Sequence, residues 1–315
     1  MAARMAFLFT LGARGSPLAL AQAHEARRRL AEAIGCEEEA IGVEAIRTSG
    51  DLIGDRPLAE AGGKGLFTKE IDAALVAGRI DFAVHSAKDL PTDPPDGVAI
   101  AGFLPREDAR DAFVSAVADC FAALPPGARL GAASLRRRAQ ARRLRPDLKV
   151  ELLRGNVETR LRKAETRVVD ATLLALAGLK RLGLAQRARA ALDLETFLPA
   201  VGQGAIALTA RRGDARTLRA LAAISDEATM TALTAERAFL AALGGSCRAP
   251  IAGHARILDG ALTLVGQVLR EDGSESFEAR VSGAPADAAL LGAAAGRDLA
   301  GRLPPGVLPA PAART

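Results

Sequence analysis

Short apolar runs alternate with amphipathic helical stretches from residue 7 to residue 182, and this alternation restricts the chain to an α/β fold. Phe7 to Leu11 reads as a strand ending in Gly12-Ala13-Arg14-Gly15-Ser16-Pro17, with Ser16 a natural N-cap and Pro17 a natural first helical residue. The helix that follows carries Leu20, Ala23, Leu30 and Ile34 on or near one face. Val43 to Arg47 is a second strand. Phe67, Ile71 and Leu75 mark a helix closed by Gly78, and Ile80 to Val84 is a third strand. Strand, helix, strand, helix, strand predicts a parallel sheet. A second series follows the same pattern, with strands at Ala112–Ala116, Leu130–Ser134, Val150–Leu153 and Thr172–Leu176. Its helices are Leu135–Leu144, stopped by Pro146, and another containing Arg160.

At 315 residues the chain is too long for one ordinary core. Val98 to Gly102 adds a strand, and Ile206 to Thr209 can rejoin the first sheet. Beyond Thr229 come a helix reaching Gly244-Gly245, a hairpin around Asp259-Gly260 and an Ala-rich helix from Ala286 to Leu299. The expectation is two α/β lobes, residues 6–104 with 205–222 and residues 110–198, plus a smaller α+β domain over 227–315.

Composition excludes several classes. No apolar run approaches membrane-spanning length, and the first residues lack a signal-peptide core. Three cysteines, Cys36, Cys120 and Cys247, give an odd count without paired spacing, which favours a reducing cytoplasm over a disulfide framework. With three His and no ligand-like pair, a metal site is not expected. The net charge is +5, but nine Arg and two Lys between Ser134 and Lys163 face only Asp147, Glu151 and Glu158. Aromatic residues make up 3%, all Phe, so the stacking platforms of a nucleic-acid binder are largely missing. The basic stretch suits carboxylates or phosphates read one at a time.

Four features could carry chemistry. Asp89 follows the Ile80–Val84 strand, and ligand crevices of open α/β sheets lie at the carboxyl ends of strands. A turn aspartate before Pro91 is the plainer alternative. Arg14, Arg136, Arg137, Arg154, Arg160 and Arg181 fall at or near predicted strand-to-helix junctions, where guanidiniums could grip a ligand with several carboxylates. Arg138, Arg142, Arg143 and Arg145 are assigned instead to a solvated helix face. Cys247, in Gly-Gly-Ser-Cys-Arg-Ala-Pro, reads as a buried thiol, a nucleophile or a covalent attachment point. Gly62-Gly63-Lys64-Gly65-Leu66-Phe67 is a mobile segment or one whose backbone approaches a ligand; its spacing is not that of a P-loop.

Nine segments, in order, resemble the porphobilinogen deaminase (hydroxymethylbilane synthase) family over nearly the whole chain. They are Arg14-Gly15-Ser16-Pro17-Leu18-Ala19-Leu20, Gly62 to Phe67, Val84-His85-Ser86-Ala87-Lys88-Asp89, Arg106-Glu107-Asp108 and Ser134-Leu135-Arg136-Arg137. Leu153-Arg154-Gly155-Asn156-Val157 with Thr159-Arg160-Leu161, Ala177 to Gly183, Leu198 to Ala205 and the Cys247 loop complete the set. The resemblance implies two lobes of the periplasmic-binding-protein type and a third domain whose cysteine, here Cys247, holds a dipyrromethane cofactor by a thioether. It implies a transferase of tetrapyrrole and haem biosynthesis that joins four porphobilinogen molecules head to tail with loss of ammonia. A cytoplasmic monomer, without nucleic acid, membrane or metal, is expected.

By position Asp89 would be the catalytic carboxylate. Ser134, Arg136, Arg137, Lys88, Arg154 and Arg160 would hold the cofactor, and Arg14, Ser16, Gln22, Arg154, Arg160 and Arg181 the substrate. Lys64 and Phe67 match the family's flexible loop. The chain departs from the family at Ala132-Ala133 (usually Thr-Ser), at Ala13, at Glu60 and in Gly-Ser-Cys rather than Gly-Gly-Cys. A non-catalytic, two-lobed binding protein for an anionic ligand would share the arginines but would have no use for Cys247.

Overall fold

A computed structural model describes residues 7–52, 65–245 and 249–308. In chain order its elements begin β1 (Phe9–Arg14), α1 (Pro17–Ile34), β2 (Ile41–Ile46), the single turn α2 (Ser49–Leu52), α3 (Lys69–Val76), β3 (Phe82–Ser86) and β4 (Val98–Phe103). They continue with β5 (Asp111–Ser115), β6 (Arg129–Gly131), α4 (Leu135–Leu144), β7 (Lys149–Glu151), α5 (Val157–Glu165), β8 (Ala171–Ala175), α6 (Leu176–Arg181) and β9 (Ala190–Ala191). Last come β10 (Ile206–Arg211), α7 (Ala215–Ala222), α8 (Glu227–Ala242), β11 (Ile251–Leu258), β12 (Ala261–Leu269), β13 (Ser276–Gly283) and α9 (Ala288–Arg302). Among the described residues no helix is long and apolar enough to cross a membrane.

The chain divides into two compact units, the first holding the described residues up to Arg106 together with 205–230. Its sheet has the order β2-β1-β3-β10-β4. β1 pairs in parallel with β2 and β3, as the intervening α1 and α3 crossovers require, but β10 returns antiparallel between β3 and β4. The predicted parallel sheet is therefore mixed, because its last strand arrives from far along the chain. Ser16 Oγ caps α1 by accepting from Ala19 N at 3.4 Å, Pro17 opens the helix and Gly35, at φ 68°, closes it. One side of the sheet packs Leu11, Phe82, Val84 and Leu208 against Ala23, Ala26 and Leu30 of α1. The other packs Ile46, Ile80 and Val98 against Ile71 and Leu75 of α3.

The second unit holds residues 107–204 and the described residues beyond 230. Its larger sheet has the order β7-β6-β8-β5-β9, with β6 parallel to β7 and β8. β5 runs antiparallel to β8, which sets Asp111 opposite Ala175. Phe113, Phe121 and Phe197 form edge-to-face contacts on one side; Leu153, Leu161, Leu174 and Leu179 fill the other. The predicted strand over Leu130–Ser134 stops at Gly131, since Ser134 is taken up as the cap of α4.

The smaller sheet is an antiparallel meander, β11-β12-β13, with α8 and α9 packed on one face. Asp259 and Gly260 both have positive φ, the pattern of a tight type I′ hairpin. Phe239 of α8 is fully buried here. A Cβ on Gly266 would come within 2.2 Å of its ring, so only glycine lets helix and sheet meet at this spot.

Candidate active site

In the first unit the chemistry gathers at one end of the sheet. β1 and β3 run parallel, so Arg14, the last residue of β1, and Ser86, the last of β3, share an edge. Just beyond, Ala87–Asp89 form a 3-10 turn, pinned where Ala87 N donates to Ala205 O at 3.0 Å. Asp89 is half-buried and Lys88 exposed. Among the described residues the Asp89 carboxylate has no hydrogen-bond or ion-pair partner. Behind the turn, Gln22 and Ser86 are locked together: the amide donates to Ser86 Oγ at 3.0 Å, and the hydroxyl to Gln22 Oε1 at 3.1 Å. Gln22 is buried, and Ser16 already caps α1, so both predicted substrate contacts have a structural task as well.

Arg14 is held by Asp51 from the single turn α2 that follows β2. Its Nε donates to Asp51 Oδ1 at 3.1 Å, its Nη2 reaches the same oxygen, and the guanidinium lies 4.2 Å above the Phe67 ring. Thr48 N and Oγ1 donate to Asp51 Oδ2 at 3.2 and 2.8 Å. Burial would raise the Asp51 carboxyl, but the hydrogen bonds from Arg14 and Thr48 outweigh it and hold it below the usual range. Lys64 lies outside the described residues. His85, on β3 four residues before Asp89, is buried with Nε2 3.3 Å from Thr209 Oγ1. Burial first, and the charge of Arg14 second, push its pKa down to about 4, so it is neutral at working pH.

In the second unit β7, β6 and β8 are parallel neighbours, so the loops that follow them leave at a common end. The antiparallel β5 brings its first residue, Asp111, to that same end. Ser134 Oγ caps α4 by accepting from Arg137 N at 3.4 Å, which places Arg136 and Arg137 in the first turn. Both guanidiniums are buried against Asp111, at 2.7 and 2.6 Å. Burial alone would raise the Asp111 carboxyl, but the two arginines hold it far below the ordinary range. Arg136 Nη1 also donates to Leu198 O at 2.6 Å.

Arg154 follows β7 and is half-buried, with Nη1 enclosed and lacking an acceptor. Asn156 caps α5, its Oδ1 accepting from Thr159 N at 2.8 Å, and Arg160 Nε reaches Asn156 O at 3.4 Å. Arg181 is the last residue of α6 rather than a strand-to-helix residue, and donates to Gly204 O at 3.0 Å.

The solvated helix face predicted for four arginines holds only in part. Arg143 is exposed, but Arg138 is half-buried with its Nε enclosed, and Arg142 donates to Glu271 O at 2.8 Å. Arg145 turns back at the end of α4 to clamp Asp147 and the carbonyls of Ala122 and Leu124. Cys247 lies outside the described residues.

Among the described residues four buried guanidinium nitrogens lack an acceptor, on Arg29, Arg136, Arg138 and Arg154, and two of them, Arg136 Nε and Arg154 Nη1, belong to arginines expected to hold the cofactor. Orphaned cationic donors at the end of an α/β sheet suit a ligand rich in carboxylates, so the residues present fit a dipyrromethane carrying acid side chains. Sequence reasoning missed Asp111 and Asp51. A signal for Asp111 existed: a charged residue opening the apolar run Ala112 to Val114 must be compensated if the strand is central.

Residues 9–219 match the family model "Porphobilinogen deaminase, dipyromethane cofactor binding domain", and residues 230–301 match "Porphobilinogen deaminase, C-terminal domain". A porphobilinogen deaminase of Nitrobacter winogradskyi is 58% identical over 292 residues, 93% of this chain and 92% of the relative. One from Paracoccus denitrificans is 54% identical over 294 residues, 93% of this chain and 94% of that one. A nutrient binding protein from Burkholderia cenocepacia bound to methionine is 15% identical over 68% of this chain and 90% of its own, with TM-score 0.43, a likeness too distant to build on.

Proposed function

The chain belongs to the porphobilinogen deaminase family, and from that premise we propose how its residues divide the work. The enzyme condenses four porphobilinogen molecules head to tail, with release of ammonia, into hydroxymethylbilane. Its dipyrromethane cofactor supplies the pyrrole to which the first substrate is joined. Cys247 is the residue we assign to the thioether that holds it.

The single observation that carries the catalytic assignment is the uncommitted, half-buried carboxylate of Asp89 at the carboxyl end of β3. Losing ammonia leaves positive charge on the substrate's methylene carbon and ring. A fixed carboxylate stabilises that charge and can hold a pyrrole N–H proton as it is shed. Neutral His85 in the same segment cannot oppose the charge. Each porphobilinogen brings an acetate and a propionate, and Arg14, Arg160 and Arg181 are assigned to these with Ser16 and Gln22. Arg136, Arg137 and Arg154 are assigned to the carboxylates of the cofactor, helped by Ser134 and Lys88. The orphaned nitrogens on Arg136 and Arg154 support that choice.

The three-part division of the chain, into 6–104 with 205–222, 110–198 and 227–315, is supported by separate hydrophobic cores on the three sheets. A cytoplasmic monomer remains our reading; the odd cysteine count without paired spacing supports the compartment. The test is the intact mass of the denatured chain with peptide mapping around Cys247. A dipyrrole on that peptide is expected; its presence on another residue, or nowhere after incubation with porphobilinogen, overturns the assignment.

A further inference from the structure

One buried carboxylate in the second unit has no place in the chemistry above. Asp111 is wholly enclosed and accepts from four donors. Arg136 Nη2 reaches Oδ2 at 2.7 Å. Arg137 Nε and Nη2 reach Oδ1 at 3.0 and 2.6 Å, and Gln203 Nε2 reaches Oδ1 at 2.9 Å. Each oxygen thus serves a different arginine, and both guanidiniums are aimed from one point. Gln203 also donates to Ala109 O at 2.8 Å, fixing the backbone just before β5.

The charges do not balance. Two cations, with side chains 4% and 7% exposed, share one anion that is 0% exposed. An excess buried positive charge is strongly unfavourable unless something further compensates it. Arg136 Nε, enclosed and without an acceptor among the described residues, shows where compensation is incomplete. With no carboxylate at all, two adjacent buried guanidiniums would repel each other in a poorly screened setting. With a second one, no positive charge would be left to attract an anion.

We propose that Asp111 is a positioning residue: it aims Arg136 and Arg137 and neutralises half their charge, so the empty chain folds around the pair while one positive charge stays available to a cofactor carboxylate. The proposal rests on the assignment of Arg136 and Arg137 to the cofactor. Replacing Asp111 by Asn swaps one acceptor oxygen for an amide that points hydrogens at a guanidinium, and doubles the net buried charge. The empty fold then loses stability, whereas an arriving carboxylate gains attraction. The effect of Asp111 on the empty and loaded chains is therefore unequal, which a merely structural hydrogen bond does not produce.

The experiment compares melting temperatures of the full-length parent chain, Asp111→Asn and Asp111→Glu. Each is prepared empty and after loading with hydroxymethylbilane, with loading verified by intact mass. The expected result is an empty Asn variant that melts well below the parent, with a rise on loading that exceeds the parent's by at least about 3 °C, roughly the shift of a tenfold change in the folding equilibrium. The Glu variant is expected to return toward the parent. An equal rise on loading in parent and Asn variant overturns the proposal.

If the empty Asn variant does not fold, refolding from urea with and without hydroxymethylbilane makes the same comparison; recovery only with it is expected, and no recovery in either condition overturns the proposal. Arg137→Leu separates the two ideas. It leaves Asp111 and Arg136 as a balanced pair, so its empty chain should fold and its rise on loading should shrink. A parental rise in Arg137→Leu overturns the cofactor assignment itself, and with it the proposed role of Asp111.

Discussion

Arg14 and Asp51 form an ion pair at the carboxyl end of β1, with Phe67 stacked beneath the guanidinium at 4.2 Å. The carboxylate takes the Nε–Nη2 edge of Arg14, an edge that could otherwise grip a ligand carboxylate. Binding through that edge means exchanging one carboxylate for another.

Asp51→Asn should ease that exchange. The expected outcome is a KM for porphobilinogen lowered about threefold to tenfold with little change in kcat, the signature of altered ground-state binding. Melting should change little, because a partly exposed ion pair contributes only about 0–1 kcal/mol. Steady-state kinetics and a thermal melt on the same preparation check both; an unchanged KM would remove Arg14 from the substrate contacts.

His85 gives the fold a pH dependence of known sign. Its pKa in the folded chain is about 4, below the 6.5 of the unfolded chain, so between these values the unfolded chain holds more protons. The contribution of neutral His85 is present above pH 6.5 and is lost as pH falls toward 4, amounting to ~3 kcal/mol in all. Urea midpoints of the parent and His85→Gln at pH 7 and pH 4.5 should show the parent losing stability more steeply. Parallel losses would mean that His85 does not carry this titration.

Arg154→Leu should separate binding from folding. Its enclosed Nη1 has no acceptor among the described residues, so removing it relieves an unsatisfied donor, and the melting free energy should stay within about 1 kcal/mol of the parent. Cofactor assembly or chain growth should nonetheless fail, seen as a truncated mass ladder of pyrrole units after mixing with porphobilinogen. A complete ladder would return Arg154 to the scaffold.

Much of the fold is legible in the sequence because local chemistry and tertiary structure agree there. Ser16 and Pro17 open α1, Leu135 to Leu144 is helical as its residues favour, and the Asp259-Gly260 turn makes its hairpin. The antiparallel direction of β10 between β3 and β4 is not encoded locally, since nothing in Ile206 to Thr209 states which way the strand enters. At the site, the arginines are legible as charges in a pattern, but their partners are not. Asp111 and Arg137 are 26 residues apart and meet only through the β5–β8 pairing and the cap of α4. Arg145 misleads for the same reason: its fate is set by carbonyls on the turn at Ala122 to Leu124, which periodicity cannot reveal.

The turnover of Asp89→Asn tests the catalytic assignment most directly. The variant should melt like the parent, carry the dipyrrole mass and bind porphobilinogen, yet lose at least about 100-fold in kcat, the contribution of a positioned proton-handling carboxylate. Turnover within a few-fold of the parent, with the cofactor in place, would contradict that assignment and leave the end of β3 without a catalytic role.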